Sequence, residues 1–245
     1  MKKIFALYAA CLLLACLPAI AQQDSSRSTS HYEAPSRYKS RTYLTWGGDG
    51  AILSFAQMKS NGNHVRNIPR FSAFLHIGVN INHNFSNNFG IFTGVSLKNI
   101  GLINDATDSL RLKRRVYTLG IPIGFKIGNL RRYGLFFFAG GAYDLALNYK
   151  EKQFVNGHKE RKYNQWFSDR TPILMPSVFA GLRASPGFGL KVQYYPTNFF
   201  NQDYSKANVK PYEGLDAKLF FVTLSYDFAR INMKHGKQRG YQDYF

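Results

Sequence analysis

Cysteine is nearly absent from this sequence of 245 residues, and the two that occur, Cys11 and Cys16, both lie near the N-terminus. A disulfide scaffold and a thiolate metal site are therefore excluded from the rest of the chain. Charge is also sparse, at 19% of residues, and acidic residues are few, with 14 Asp and Glu against 32 Lys and Arg. Because 16% of the residues are aromatic, this low charge fraction excludes an intrinsically disordered chain.

Long hydrophobic runs are missing from all but the N-terminal segment. A helical membrane protein needs repeated apolar stretches of about 20 residues, and the mean hydropathy is only −0.28. The one apolar run, Ile4–Leu17, follows two lysines and precedes Ala19-Ile20-Ala21, which has the form of an export cleavage site. We predict a signal peptide over residues 1–21. Leu13–Cys16 also resembles a lipobox, so lipidation of Cys16 stays open as an alternative.

The remainder divides into three segments by composition. Residues 22–41 are polar, rich in serine and almost without aliphatic side chains, and they are interpreted as a flexible leader. Residues 42–228 carry a regular hydrophobic pattern, and residues 229–245 form a basic tail. A cysteine-free mature chain suits an oxidising compartment such as the periplasm or the cell surface.

From about Thr42 onward, apolar residues alternate with small or polar ones, which is the period of β-strands. No convincing helical pattern follows the N-terminal segment. The alternation predicts eight strands, at Tyr43–Gln57, Phe71–Asn84, Phe89–Lys98, Tyr117–Ile127, Tyr133–Tyr149, Leu174–Arg183, Phe188–Tyr194 and Phe220–Phe228.

The connections between these strands alternate between short and long. Ser86–Asn88, Gly128–Arg132 and Ser185–Gly187 are short, whereas the connections at about 58–70, 104–114, 150–171 and 197–217 are long. A transmembrane barrel with both termini in the periplasm produces this alternation. We therefore predict an all-β, eight-stranded, antiparallel up-and-down barrel in the outer membrane, with the apolar face of each strand toward lipid. A soluble lipocalin-like barrel with that face inward is the alternative.

Three stretches carry a family resemblance: YTLGIPIGFKI at Tyr117–Ile127, GLFFFAGGAYDLAL at Gly134–Leu147 and SNNFGIFTGVSLKNIGLI at Ser86–Ile103. They resemble the small outer-membrane β-barrel family of Bacteroidetes-type bacteria, called porin-like or PorT-like. The resemblance covers roughly residues 42–228 and implies a barrel inserted by the barrel-assembly machinery. Some relatives take part in type IX secretion, so kinship implies a secretion-accessory role as one expectation. The stretch SYDF, ending at Phe228, resembles an aromatic-ended assembly signal, but the tail that follows it also ends in an aromatic residue.

One proline and several charges fall on predicted strands. Pro122 lies in mid-strand between Gly120 and Gly124, so its missing N–H predicts a β-bulge. Charged residues on the predicted inward face are expected to form ion pairs and hydrogen bonds in a filled lumen, with an ion-conducting path as the alternative. These residues are Lys98, Lys126, Asp144, Arg183, Lys191 and Asp227.

No motif of catalysis or metal binding stands out. The six histidines lack the spacing of a metal site, so neither a metal nor a cofactor is predicted. An outer-membrane lipid-modifying enzyme would need a histidine beside a serine and a carboxylate. The only local pairs are His83 with Ser86 and His64 with Ser60. We expect a non-enzymatic protein with a structural, surface-interaction or secretion-accessory role and an unidentified protein partner, and the lipid-modifying enzyme stays open as an alternative.

The predicted third long loop, Lys150–Arg170, is basic and contains Trp166 and Phe167. Basic residues beside aromatic ones can contact nucleic acid, but an exported barrel meets the phosphates of lipopolysaccharide first. We therefore expect outer-membrane lipids and lipopolysaccharide as partners and no nucleic acid. Trp166 and Phe167 are the candidate binding residues of this loop.

Overall fold

The computed structural model describes residues 41–105, 109–131, 134–184 and 187–233, and all regular structure among them is β-strand. No helix in the described part of the chain is long and apolar enough to cross a membrane. The predicted signal peptide, nearly all of the predicted leader and most of the basic tail lie outside the described residues. The strands are β1 Arg41–Ser60, β2 Asn63–His64, β3 Asn67–Ile68, β4 Arg70–Asn84, β5 Phe89–Asp105, β6 Leu110–Gly128, β7 Leu135–Val155, β8 His158–Trp166, β9 Leu174–Ala184, β10 Phe188–Tyr195 and β11 Leu215–Asn232.

Eight of these strands form a closed antiparallel ring. The order is β11-β10-β9-β7-β6-β5-β4-β1, and β1 pairs with β11, for example through Phe55 and Phe220, so the sheet has no open edge along the barrel. The short strands β2, β3 and β8 pair with β1, β5 and β7 respectively. The predicted eight-stranded up-and-down barrel is confirmed. We call the end with the three short connections the turn end and the opposite end the loop end.

The apolar side chains change faces partway along the strands, from the outward positions to the inward ones. Near the turn end of β11, Leu224 points outward and is exposed, whereas Thr223 and Ser225 are buried in the lumen. Near the loop end of the same strand the inward residues are apolar, and Leu219 and Phe221 are fully buried. The reversal divides the barrel into a part that presents apolar side chains to its surroundings and a part that presents polar ones.

The apolar outer band near the turn end has the chemistry of a lipid-facing surface. Leu119, Ile121 and Ile123 on β6 expose 39%, 54% and 66% of their surface, whereas Gly120 and Gly124 on the same strand face inward and are buried. The neighbouring strands continue the band with side chains of the same kind. A lipocalin-like barrel would bury these aliphatic residues, so the lipid-facing arrangement is the one that the fold adopts.

A dry core fills the lumen at the loop end. Its buried members are Met58, Ile100, Leu102, Val116, Ala146, Tyr149, Met175, Tyr195, Phe199, Phe200, Tyr212, Ala217, Leu219 and Phe221. Phe199, Phe200 and Tyr212 come from the connection between β10 and β11, residues 196–214, which we call the plug loop. The plug loop therefore folds into the mouth of the barrel and closes the lumen at this end.

Two of the predicted long loops are wrong, because the strands continue past the lipid-facing band. β5 reaches Asp105 and β6 begins at Leu110, so most of the predicted loop at 104–114 is strand. The predicted loop at 150–171 holds the end of β7 and the whole of β8. Beyond the lipid-facing band the apolar residues of a strand face inward. A pattern of apolar residues on the outward face therefore ends before the strand does, and it predicts strands that are too short. β11 likewise runs to Asn232, past the predicted barrel end at residue 228.

The predicted bulge at Pro122 is also wrong. Pro122 pairs in register with Ala142 on β7, and the register between β5 and β6 is the same on either side of the proline. The proline carbonyl accepts a hydrogen bond of 2.9 Å from the hydroxyl of Thr93. Loss of one N–H therefore interrupts the ladder without shifting it, and the register shift on β6 lies between Tyr117 and Thr118.

Candidate functional site

Three phenylalanine rings lie against the wall of the lumen near the turn end. Each ring takes the space that a Cβ would need on the glycine paired with it across the strands: Phe92 at Gly124, Phe138 at Gly181 and Phe179 at Gly140. A phenylalanine laid over a cross-strand glycine covers bare backbone and flattens its ring against the sheet. The rings form one aromatic wall, with centroids 6.0–6.3 Å apart.

The flattened rings leave a cavity of about 280 Å³ beside them. A narrow barrel lumen is expected to be filled by side chains, so this cavity departs from the filled lumen that the sequence predicts. One side of the cavity is the aromatic wall. The other sides carry polar groups, among them Thr45, Asn80, Asn82, Ser96, Lys98, Lys126, Arg183, Lys191, Gln193 and Asp227.

Two of the predicted lumen charges, Lys98 and Asp144, form a buried ion pair between the cavity and the dry core. The ammonium of Lys98 donates to both carboxylate oxygens of Asp144, at 2.8 and 3.1 Å. The hydroxyl of Tyr195 also donates to Asp144, and the amide of Gln193 donates to that hydroxyl at 3.2 Å. These bonds compensate the cost of burying the two charges.

Lys126 has a different environment at the turn end. Its ammonium donates to the hydroxyl of Tyr43 and to the amide oxygens of Asn82 and Asn84, each at 2.9 Å. A lysine ammonium has three N–H donors, so these three oxygens match them in number. Lys126 also lies 4.9 Å from the ring centroid of Tyr43.

The remaining predicted charges gather on β9, β10 and β11. Arg183 donates to the carboxylate of Asp227 at 2.8 Å and to the hydroxyl of Ser225 at 3.0 Å. Its guanidinium lies 5.2 Å from the centroid of the Phe138 ring. Lys191 pairs in register with Gly181, the glycine that Phe138 covers, and both Lys191 and Arg183 line the cavity.

The two predicted histidine–serine pairs have other contacts. His83 Nδ1 lies 2.8 Å from the hydroxyl of Thr42. Ser86 Oγ accepts hydrogen bonds from the backbone amides of Asn88 and Phe89, which closes the short turn before β5. His64 is an exposed residue of β2, and Ser60 pairs with Asn63 in the same hairpin. Over the described ranges, no group of three or more His, Cys, Asp or Glu side chains is placed to hold a metal ion.

A row of lysines crosses the outer surface of the sheet toward the loop end. Lys113 on β6 pairs with Lys152 on β7, which pairs with Lys162 on β8. One step closer to the lipid-facing band, Arg115 pairs with Lys150. Directly paired residues share a face with their Cβ atoms about 5 Å apart. We call these five side chains the basic face.

The cations of the basic face repel one another. Partial burial and the nearby cations Arg115, Lys159 and Lys162 lower the pKa of Lys152 below its ordinary value. Asp105, at the end of β5 on this part of the sheet, is already held by Arg111 at 2.8 Å. Like charges in direct cross-strand pairs are unfavourable, so the face favours an anionic partner.

An aromatic row separates the basic face from the lipid-facing band. Tyr117 and Trp166 both pair with Asn148, one step below the pair of Arg115 and Lys150. Lys150 lies 4.7 Å from the ring centroid of Tyr117. Trp166 and Phe167 expose 64% and 60% of their surface. They lie at the end of β8 beside the band and not at the tip of a loop, a position typical of interfacial aromatic belts.

Sequence reasoning missed a polar group within the dry core. Arg114 donates to Glu151 at 3.0 Å and to the amide oxygen of Asn104 at 3.0 Å, and Tyr149 donates to the same glutamate at 2.8 Å. Burial alone would raise the pKa of Glu151, but Arg114 and the hydrogen bonds outweigh it and hold that pKa below its usual value. The signal that could have revealed Arg114 is the reversed alternation at residues 110–116, where Leu112 and Val116 face inward.

A second missed residue, Arg170, ties the plug loop to the barrel. Its guanidinium donates to the hydroxyl of Tyr212 at 2.7 Å and lies 4.3 Å from the ring centroid of Tyr163 and 5.1 Å from that of Tyr204. Burial alone would lower the pKa of Arg170, but its contacts with Tyr212 raise it. The residue is therefore a fixed cation that holds β8 and the plug loop together.

A closed β-barrel with an apolar outer band, an aromatic row above that band and a polar lumen is an integral membrane barrel. The profile of the family described as "Outer membrane protein beta-barrel domain" matches residues 21–229. The chain therefore belongs to this family, and its place is the outer membrane. The predicted transmembrane barrel and its outer-membrane location are confirmed, while the narrower PorT-like resemblance stays a prediction.

Solved structures with a similar fold include Neisserial surface protein A, which is 10% identical with a TM-score of 0.36, the match covering 80% of this chain and 100% of that one. The attachment invasion locus protein Ail of Yersinia pestis is 15% identical with a TM-score of 0.27, covering 77% of this chain and 97% of that one. OprG from Pseudomonas aeruginosa is 11% identical with a TM-score of 0.31, covering 77% and 96%. No curated protein matches the sequence.

Proposed function

We propose that the chain is a non-enzymatic outer-membrane protein whose basic face binds the phosphate groups of lipopolysaccharide in the outer leaflet. The observation that carries this proposal is the row of Lys113, Lys152 and Lys162 at a fixed height above the lipid-facing band. The role is therefore surface interaction, with the barrel as a rigid platform.

The height of the basic face supports a partner in the headgroup layer. Successive residues on one face of a strand lie about 7 Å apart along the strand. The pair of Arg115 and Lys150 is one such step above the row of Tyr117 and Trp166, and the three lysines are two steps above it. Aromatic side chains mark the edge of the hydrocarbon. The cations consequently lie where lipid phosphates are found, about 7–14 Å from that edge.

The chemistry of the face supports phosphates as the anion. Lysine binds phosphate as a point charge, so each ammonium can meet its own anionic group. Three ammonium groups in a row therefore match several closely spaced phosphates better than a single carboxylate. Binding would also relieve the repulsion between the directly paired lysines. An arginine beside them adds a second type of phosphate donor.

The proposal includes an orientation. The loop end, with the basic face and the plug loop, lies outside the cell, and the turn end faces the periplasm together with both termini. The signal peptide would be removed after Ala21, with lipidation of Cys16 as the alternative. Residues 22–41 and the tail would then be periplasmic, and the barrel-assembly machinery would insert residues 42–228.

Two other roles have less support. An ion-conducting role would need an open lumen, and the dry core closes the loop end. A lipid-modifying role would need one of the two serines as a nucleophile, and Ser86 is engaged in a turn. A secretion-accessory role stays compatible with a non-enzymatic barrel and would add a protein partner.

The proposal is tested by measuring lipopolysaccharide binding to the folded barrel at two salt concentrations. The variant Lys113→Gln/Lys152→Gln/Lys162→Gln should bind about a hundredfold more weakly at low salt, since each lysine near an anionic surface contributes roughly 1 kcal/mol. High salt should weaken the wild-type protein and reduce the difference.

The matched control is Lys59→Gln/Lys206→Gln/Lys210→Gln, which removes the same charge from loop-end lysines outside the basic face. It should bind lipopolysaccharide nearly as well as the wild type does. Dephosphorylated lipopolysaccharide should bind the wild type and the basic-face variant equally. Equal loss in the two triple variants would overturn the proposal, because it would mean that net charge alone attracts the lipid.

A further inference from the structure

We infer that the cavity near the turn end is a binding site for a small organic carboxylate, held by Arg183 and Lys191 against the ring of Phe138. This inference is independent of the proposed function of the basic face, because it concerns the opposite side of the barrel wall and the other end of the lumen.

The cavity has two unlike walls, and this selects an amphipathic ligand. The aromatic wall of Phe92, Phe138 and Phe179 borders the cavity on one side, and the opposite walls present hydroxyl, amide and ammonium groups. Small-molecule sites combine apolar walls with a few placed polar groups in this way. The volume of about 280 Å³ is close to the lower limit of such sites and suits a single ring with one substituent.

The charge of the lining selects an anion. Among the described lining residues, Lys98, Lys126, Arg183 and Lys191 are cationic and Asp227 is the one carboxylate. A second carboxylate, Asp144, lies on Lys98. Cations still outnumber carboxylates when this residue is included, and inside a protein such an excess attracts an anion more strongly than it would in bulk water.

The cations and the ring converge at one place on the wall. Arg183 lies 5.2 Å from the centroid of the Phe138 ring, and that ring lies over Gly181, which pairs with Lys191. Arg183 and Lys191 therefore lie on neighbouring strands beside one aromatic ring. Gly181 and the Arg183 guanidinium cover the two faces of the Phe138 ring, so a ligand ring would pack against its edge and bring its carboxylate to where both cations lie.

The two ends of the lumen differ. The dry core closes the loop end, whereas the ion pair of Arg183 and Asp227 at the turn end keeps 17% and 15% of its side-chain surface exposed. A ligand would therefore enter from the turn end. In the proposed orientation, the ligand would come from the periplasm.

The inference is tested with benzoate as the probe, by isothermal titration calorimetry on the full chain folded in nanodiscs. Benzoate should bind at one saturable site, and the neutral analogue benzyl alcohol and the cationic analogue benzylamine should each bind at least about tenfold more weakly. Lys191→Gln should weaken benzoate about tenfold, the loss expected for one charge-assisted contact. The matched control Lys210→Gln, an exposed residue of the plug loop, should leave benzoate affinity unchanged.

A second variant keeps the test decisive if Lys191→Gln fails to fold. Phe138→Leu retains an apolar side chain but removes the ring, and it should weaken benzoate more than it weakens acetate, which has no ring. Absence of saturable benzoate binding to the wild type would overturn the inference, as would equal affinities of wild type and folded Lys191→Gln. The basic-face triple variant should still bind benzoate, so failure of the lipopolysaccharide experiment and failure of this one are distinguishable.

Discussion

The barrel interior is apolar at the loop end and polar at the turn end, and the surroundings of each half explain this difference. At the loop end the outer surface is polar, and the interior is a dry core that includes Phe199, Phe221 and Leu219. At the turn end the apolar side chains face lipid, and the interior holds charges and a cavity. In the membrane, burial against lipid replaces burial in a core, so the lumen is released from the need to be apolar. Its order must then come from hydrogen bonds and ion pairs.

The largest effect on stability is expected from removing one partner of the ion pair between Lys98 and Asp144. Asp144→Asn leaves a buried ammonium without its counter-charge and should lower the free energy of unfolding by about 3–5 kcal/mol. Urea titration of the protein folded into vesicles measures this change. Replacing both residues, as in Lys98→Met/Asp144→Leu, should cost less than the single change. A larger loss in the double variant would mean that the pair itself stabilises the lumen.

The same truncation in the two halves should have different effects. Phe221→Ala in the dry core opens a new cavity and should lower the free energy of unfolding by about 3–5 kcal/mol. Phe92→Ala removes a ring that already borders the turn-end cavity, so it should cost roughly half as much. Both are measured by urea titration under the same conditions. Equal losses would show that the turn-end rings are as tightly packed as the core.

Acid should act on the loop end through Glu151. Because its pKa in the folded protein is held below the unfolded value of about 4.3, its ion pair with Arg114 stabilises fully above that pH. The contribution is lost as the pH falls through the folded pKa. Glu151→Gln should therefore be less stable at neutral pH and lose less stability on acidification than the wild type. The exposed Glu213→Gln is the control, and it should follow the wild-type pH profile.

The smallest effect is expected on the basic face, where one charge is surrounded by like charges. Lys152→Gln should raise the free energy of unfolding by a few tenths of a kcal/mol at low salt, because it relieves the cross-strand repulsion. High salt should remove the gain. A loss of stability at low salt would show that the stem of Lys152 contributes more by packing than its charge costs.

The part of the fold inside the membrane could be predicted from the sequence because lipid imposes a strict rule. Stretches such as Leu119–Phe125 alternate between aliphatic residues and small or polar ones, and only one face can meet lipid. The rule fails where lipid ends. From Leu110 to Val116 the same strand carries Arg111, Lys113 and Arg115 outward and Leu112 and Val116 inward, so the pattern that identified the strand predicted a loop there.

The sites depended on information that alternation does not contain. Periodicity assigned Lys98 and Asp144 to the inward face, but their pairing depends on the register between β5, β6 and β7, which the sequence does not state. The cavity depends on three rings lying flat over cross-strand glycines. Arg170 contacts Tyr163 on β8 and two tyrosines of the plug loop, and no local motif marks it.

The reversal of the side-chain pattern along the strands has a consequence for how the protein responds to its bilayer. The sequence of each strand fixes where the outer surface changes from polar to apolar, as on β11 between Lys218 and Phe220. A closed cylinder cannot tilt its strands independently or slide a helix to compensate. When the barrel lies in a thinner or thicker bilayer, the surrounding acyl chains must extend or compress to match the height of its apolar band. The protein therefore sets the local thickness of the membrane.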